Sequence, residues 1–149
     1  MCLPMLKTLV LDSVRFGRGP FQTLLPDFPA LEELMLLNIW WRDRNVVLSS
    51  STLKKLKITS KGGCLGTFSI DTHTPNPVFF DYADSVADDY PLVNLTNLVE
   101  AGINLALTED RTRRARANVV KLINGIQNVN ILHVSPVSFK VRFLFQFLL

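Results

Sequence analysis

Leu6-Lys7-Thr8-Leu9-Val10-Leu11 returns as Leu31-Glu32-Glu33-Leu34-Met35-Leu36 and again as Leu53-Lys54-Lys55-Leu56-Lys57-Ile58. The three starts lie 25 and 22 residues apart. Each phrase has the period-two alternation of a short strand, with its leucines turned to one side and the residues between them to the other. One such unit cannot bury its own apolar face. It must stack on a neighbour, so the spacing predicts an elongated array of strands rather than an enclosed pocket.

The pattern weakens after residue 60 but continues. Phe80-Asp81-Tyr82 forms the later part of a fourth phrase, and Pro77, 24 residues after Leu53, stands where its first leucine would be. Leu98-Val99-Glu100-Ala101-Gly102-Ile103 is a fifth phrase, and Val129-Asn130-Ile131-Leu132-His133-Val134, 31 residues further on, is a sixth. Most of these periods fall in the roughly 20 to 29 residue range of a leucine-rich repeat. The expected fold is therefore α/β: a leucine-rich repeat solenoid, a partial horseshoe with a parallel sheet of about six short strands. Helices or irregular segments are expected to close the opposite face.

The connections carry their own signals. Gly17-Arg18-Gly19-Pro20 makes a turn, and Phe21, Leu24 and Leu25 offer an apolar face for one or two helical turns before Pro26. Between Asn38 and Ser51, Trp40, Val47 and Leu48 are expected to fill the interior. The long spacing before the sixth phrase predicts a helix from about Glu109 to Asn124, capped by Thr108, with Glu109 and Asp110 on its first turn. Ala115, Val119, Leu122 and Ile126 give it one buried stripe, and Gly125 is expected to end it in a left-handed conformation. Residues 1–135 read as the repeat region. Residues 136–149 read as a divergent apolar tail or truncated repeat, with Phe139, Val141, Phe143 and Phe145 alternating as in a strand.

Bulk properties narrow the function. A net charge of +3, from 16 basic and 13 acidic residues, is too mild for a dedicated nucleic-acid surface. Cys2 and Cys64 cannot build a disulfide framework and lack the spacing of a zinc site. A reducing compartment fits, and the expected location is cytoplasmic or nuclear. No secretory signal precedes Leu3. The apolar stretch 139–149 has 11 residues, against about 20 for a membrane-spanning helix, so no membrane role is expected.

Wider phrases sharpen the class. Leu3-Pro4-Met5-Leu6-Lys7-Thr8-Leu9, Phe28-Pro29-Ala30-Leu31-Glu32-Glu33-Leu34 and Ser49-Ser50-Ser51-Thr52-Leu53-Lys54-Lys55-Leu56 resemble successive rungs of plant F-box/LRR proteins, including those with a C-terminal FBD domain. Phe80-Asp81-Tyr82-Ala83-Asp84, Leu98-Val99-Glu100-Ala101, Leu122-Ile123-Asn124-Gly125-Ile126 and Leu132-His133-Val134-Ser135 continue the resemblance to about Ser135. In that family an F-box lies ahead of the repeats and binds the adaptor subunit of a cullin-RING ubiquitin ligase. The resemblance implies a substrate-recognition scaffold of such a ligase without the F-box, so direct binding to the adaptor subunit is not expected. It implies no catalytic residue, cofactor or metal. The alternative is a truncated regulatory or structural repeat protein with no ubiquitin-pathway role.

The candidate contact surface is the outward side of the strands. It comprises Lys7, Thr8, Glu32, Glu33, Lys54, Lys55, Lys57, Glu100, Asn130 and His133, with Val10, Met35, Val99, Gly102 and Ile131 among them. Mixed charge there suits an unknown protein partner. Arg111, Arg113, Arg114 and Arg116 form a possible basic contact patch, although a solvated helix face explains them more simply, and no stacking aromatics are interleaved. Asp81, Asp84, Asp88 and Asp89 do not match a calcium loop and read as a polar loop. His73 and His133 lack a nucleophile or metal partner nearby in sequence. Gly62-Gly63-Cys64-Leu65-Gly66 reads as a flexible connection, and Asn94-Leu95-Thr96 as an accidental glycosylation match.

Overall fold

All six phrases form strands. In the computed structural model, residues 2–17, 25–42, 45–62, 66–71, 77–106 and 112–135 are described. The strands are β1 (Thr8–Asp12), β2 (Arg15–Phe16), β3 (Glu33–Trp41), β4 (Asn45–Ser49), β5 (Lys55–Gly62), β6 (Thr67–Asp71), β7 (Phe79–Ser85), β8 (Glu100–Ala106) and β9 (Ile131–Val134). One helix, α1 (Thr112–Gly125), lies between β8 and β9. The main sheet runs β1-β3-β5-β7-β8-β9, with every neighbouring pair parallel, and β2 pairs with the far end of β3. This is the leucine-rich repeat arrangement that the spacing predicts.

The register explains why leucine recurs. Leu9, Leu34, Leu56, Phe80, Ala101 and Leu132 form one inward row across the sheet, and Leu11, Leu36, Ile58, Tyr82, Ile103 and Val134 form the next. On the middle rungs these side chains are fully buried, while on β1 and β9 they are only partly covered. An inner rung is covered from both sides and an outer one from one side. Each fully buried side chain contributes about 1.5–3 kcal/mol of transfer free energy, which makes neighbouring rungs mutually dependent.

A second parallel sheet, β4–β6, partly closes the opposite layer, where helices or irregular segments were expected. Isolated bridges Thr67↔Asp89 and Ile70↔Val93 extend it towards the next repeat. Val46, Leu48, Phe68 and Ile70 face the core, and Phe68 stacks on Tyr82 with ring centroids 5.1 Å apart.

Leu48 fills the interior as expected, but Trp40 and Val47 do not: both are exposed, and Trp41 and Val46 are buried instead. The cause lies at Asn38, which adopts φ 54°. The register with β5 shifts between Leu36 and Ile39, so the inward series runs Leu34, Leu36, Ile39, Trp41. An inserted residue of this kind is a β-bulge. Asn38 N–H donates to Thr59 Oγ1 and its Nδ2 to Asp12 Oδ1, each at 2.9 Å, which fixes the kink between neighbouring rungs.

Helix α1 buries the expected stripe of Ala115, Val119, Leu122 and Ile126. Its anticipated start at Thr108 to Asp110 lies outside the described residues. Gly125 does not take the expected left-handed conformation; it is the last helical residue. Its smallness serves close packing, since a Cβ there would fall 2.5 Å from both the carbonyl oxygen and Cγ1 of Val93. Its own carbonyl accepts from Leu95 N–H at 3.1 Å. Near the start of the chain, a 3-10 turn spans Leu25–Asp27 and so includes Pro26. Proline is tolerated in a first turn because its missing N–H has no partner to lose. Phe21, Leu24, Cys64, His73 and the tail from Pro136 lie outside the described residues.

Candidate protein-binding face

Three outward rows run across the six rungs. In the first, Lys7, Glu32, Lys54, Val78, Val99 and Asn130 are joined by successive N–H to carbonyl bonds of 2.8, 2.7, 2.8, 2.9 and 3.0 Å. Register places Thr8, Glu33, Lys55, Phe79, Glu100 and Ile131 in the second row, and Val10, Met35, Lys57, Asp81, Gly102 and His133 in the third. The sheet thus brings all ten sequence-predicted contact residues to one face. Each is exposed or half-buried.

Their charges are arranged across rungs. Glu32 meets Lys7 at 3.9 Å and Lys54 at 3.3 Å. Lys55 lies 3.2 Å from Glu33, and Lys57 lies 3.3 Å from Asp81. Gly102 makes room beside this last pair, because a Cβ there would sit 2.9 Å from Asp81 Oδ1. Exposed pairs of this type contribute about 0–1 kcal/mol each. Their main effect is to hold the lysines beside carboxylates, with Lys7 and Lys54 sharing Glu32 and Lys57 reaching Asp81 on the fourth rung. On the later rungs, His133 Nε2 lies 3.0 Å from Glu100 Oε1, an ion pair only when the imidazole is protonated.

Only half of the acidic cluster is the expected polar loop: Asp88 and Asp89 lie in the loop after β7, but the other two do not. Asp81 and Asp84 both lie on β7 and face opposite sides of the sheet. Asp84 is 8% exposed. Its Oδ2 accepts from Trp41 Nε1 at 3.2 Å and its Oδ1 from Ser85 N–H at 2.7 Å. Burial pushes its carboxyl up to about 6, and these hydrogen bonds, with one from Ser60, hold it back from going higher. Among the described residues, no group of three or more His, Cys, Asp or Glu could hold a metal ion.

The arginine patch is only partly in view. Arg113 and Arg114 fall within α1, Arg116 is exposed on it, and Arg111 lies outside the described residues. On the same helix, Lys121 Nζ contacts Asp89 Oδ1 at 2.5 Å, and buried Asn118 donates to the carbonyls of Ala87 and Asp88. These contacts tie α1 to the loop after β7. Val78 and Phe79 also stand on the outward face, and sequence reasoning missed them because Pro77 breaks the leucine phrase ahead of them. With Phe80 aligned on Leu56, as the fourth phrase already implies, they take the places of Lys54 and Lys55.

A leucine-rich repeat family model matches residues 5–29. An Arabidopsis thaliana protein bearing an F-box name is 71% identical over 95% of this chain and 30% of its own length. An F-box/LRR-repeat protein of the same plant is 47% identical over 97% of this chain and 50% of its own. Another, named as an F-box protein, is 46% identical over 93% of this chain and 31% of its own. The chain therefore spans between about a third and a half of these relatives. No solved structure gives a significant match. The repeats form an interaction scaffold.

Proposed function

We propose that the chain reads the substrate for an SCF-type ubiquitin ligase adaptor, a reading supported by F-box-named relatives that match more than nine tenths of it and by the leucine-rich repeat match at residues 5–29. The observation that carries this reading is the alignment of three outward rows across six parallel rungs. Such a face is open, rigid and several side chains wide, which suits a protein surface better than a small molecule. Its contacts are distributed, and the ligase supplies the chemistry. An F-box segment joined to these repeats would bring the bound protein to the ligase.

The test compares the chain alone with the chain fused behind the N-terminal part of its 71%-identical relative, both captured from plant cells. The expected result is one shared bound protein, with the ligase adaptor subunit only on the fusion. Expression of the fusion should also lower the abundance of that shared protein. A fusion that binds the adaptor subunit but lowers the level of no captured protein contradicts the reading.

A further inference from the structure

The two halves of the outward face differ in how charge and apolar surface are mixed: the first carries one apolar pair, Val10 (51% exposed) beside half-buried Met35, among its lysines, and the second a larger apolar group. On the first three rungs the lysines already have partners in Glu32, Glu33 and Asp81. The last three rungs present Val78, Val99 and Ile131, which are 40%, 49% and 47% exposed, with half-buried Phe79 beside them. These side chains are contiguous. Val99 N–H donates to the Val78 carbonyl at 2.9 Å, and Ile131 N–H to the Val99 carbonyl at 3.0 Å. Phe79, Glu100 and Ile131 share one registered row. With neighbouring strands about 4.8 Å apart, the patch is about 10 Å wide, enough to seat one or two side chains of a partner. Glu100 stands between Phe79 and Ile131, and the hydrogen bond of its side chain among the described residues is to His133.

We infer that this half is the docking point of the face, and that its occupant is a protein segment placing an aliphatic or aromatic side chain on Val78, Val99 and Ile131 and a lysine or arginine on Glu100. The inference rests on reading the outward face as the substrate-binding surface. Two physical arguments favour this half. An acidic partner seeking the lysines would have to displace carboxylates that already hold them, whereas burying the valines and isoleucine releases water with no pair to break. The few residues that dominate a protein interface sit where apolar surface is desolvated, with charge at its margin setting specificity. Glu100, lacking a permanent cationic partner, fixes the sign of that charge.

The experiment pans a displayed random-peptide library against the purified chain and measures affinities of the enriched synthetic peptides. Expected peptides carry a lysine or arginine close to an apolar residue. Val99→Glu and Glu100→Lys should each weaken them on the order of tenfold or more. Replacing the peptide's basic residue by glutamate should restore binding to Glu100→Lys. Both positions are solvent-facing, and circular dichroism checks that each variant keeps its fold. Acidic peptides that are lost on joint reversal of Lys54, Lys55 and Lys57 but unaffected by Val99→Glu overturn this inference and leave the outward-face reading standing. Peptides indifferent to both sets of changes, or no enrichment at all, overturn both.

Discussion

Asp84 is the residue whose chemistry departs furthest from what its sequence context announces. Among four aspartates between positions 81 and 89 it reads as one more solvated acid, yet the β7 alternation turns it inward beside Trp41. Nothing local marks this, because a charged residue at an inward position breaks the pattern from which inwardness is read. Burial raises its carboxyl from the ordinary 3.8 to about 6. A raised folded-state value means that its contribution to stability is fully present below about pH 3.8 and is lost as pH rises through about 6. By neutral pH the loss is on the order of 3 kcal/mol. Asp12, hydrogen-bonded by Asn38 and Ser13, and Asp89, hydrogen-bonded by Lys121, are held below the usual carboxylate range and act with the opposite sign. The informative quantity is therefore a difference. Between pH 4.5 and 7.5, urea unfolding of the native chain should lose about 2 kcal/mol more stability than Asp84→Asn loses. Parallel stability curves for the two proteins would refute the assignment.

At the scale of elements, the six rungs were legible and the layer opposite them was not. Leucine at a fixed offset reports a repeated inward position, so β1, β3 and β5 follow directly from the phrases, and even Phe80 and Tyr82 hold the same places on β7. The run Val46-Val47-Leu48 offers apolar residues at both phases, and only the folded β4 shows that Val46 and Leu48 face inward. Likewise Leu36-Leu37-Asn38-Ile39-Trp40-Trp41 has no single alternation, because the bulge at Asn38 changes its phase. The bulge makes its own prediction. With φ at 54°, Asn38 occupies the left-handed region that β-branched residues resist. Asn38→Val should cost about 1–3 kcal/mol in chemical denaturation. Asn38→Gly should keep the conformation and lose only the exposed bond to Asp12, about 0.5–1.5 kcal/mol. If valine is tolerated as well as glycine, the bulge does not set the phase of β3.

At the scale of the whole molecule, the period of the repeats built the outward face that we propose binds the partner. Stacking parallel strands in register converts residues 21 to 31 positions apart into neighbours about 4.8 Å apart, and so collects Lys7 through His133 onto one face. The membership of that face was readable from the phrases. Its division was not: ion pairing between rungs and the exposure of Val78, Val99 and Ile131 depend on register, which the leucines alone leave open. The central claim is that partners bind this outward face and not the helical side. Hydroxyl-radical footprinting of the chain, free and bound to the protein it shares with the F-box fusion, tests it most directly. Binding should protect Met35, Phe79, Val99, Ile131 and His133 while leaving Leu92 and Lys121 unchanged. Protection confined to α1 and the loop after β7, with the outward rows still reactive, would contradict it.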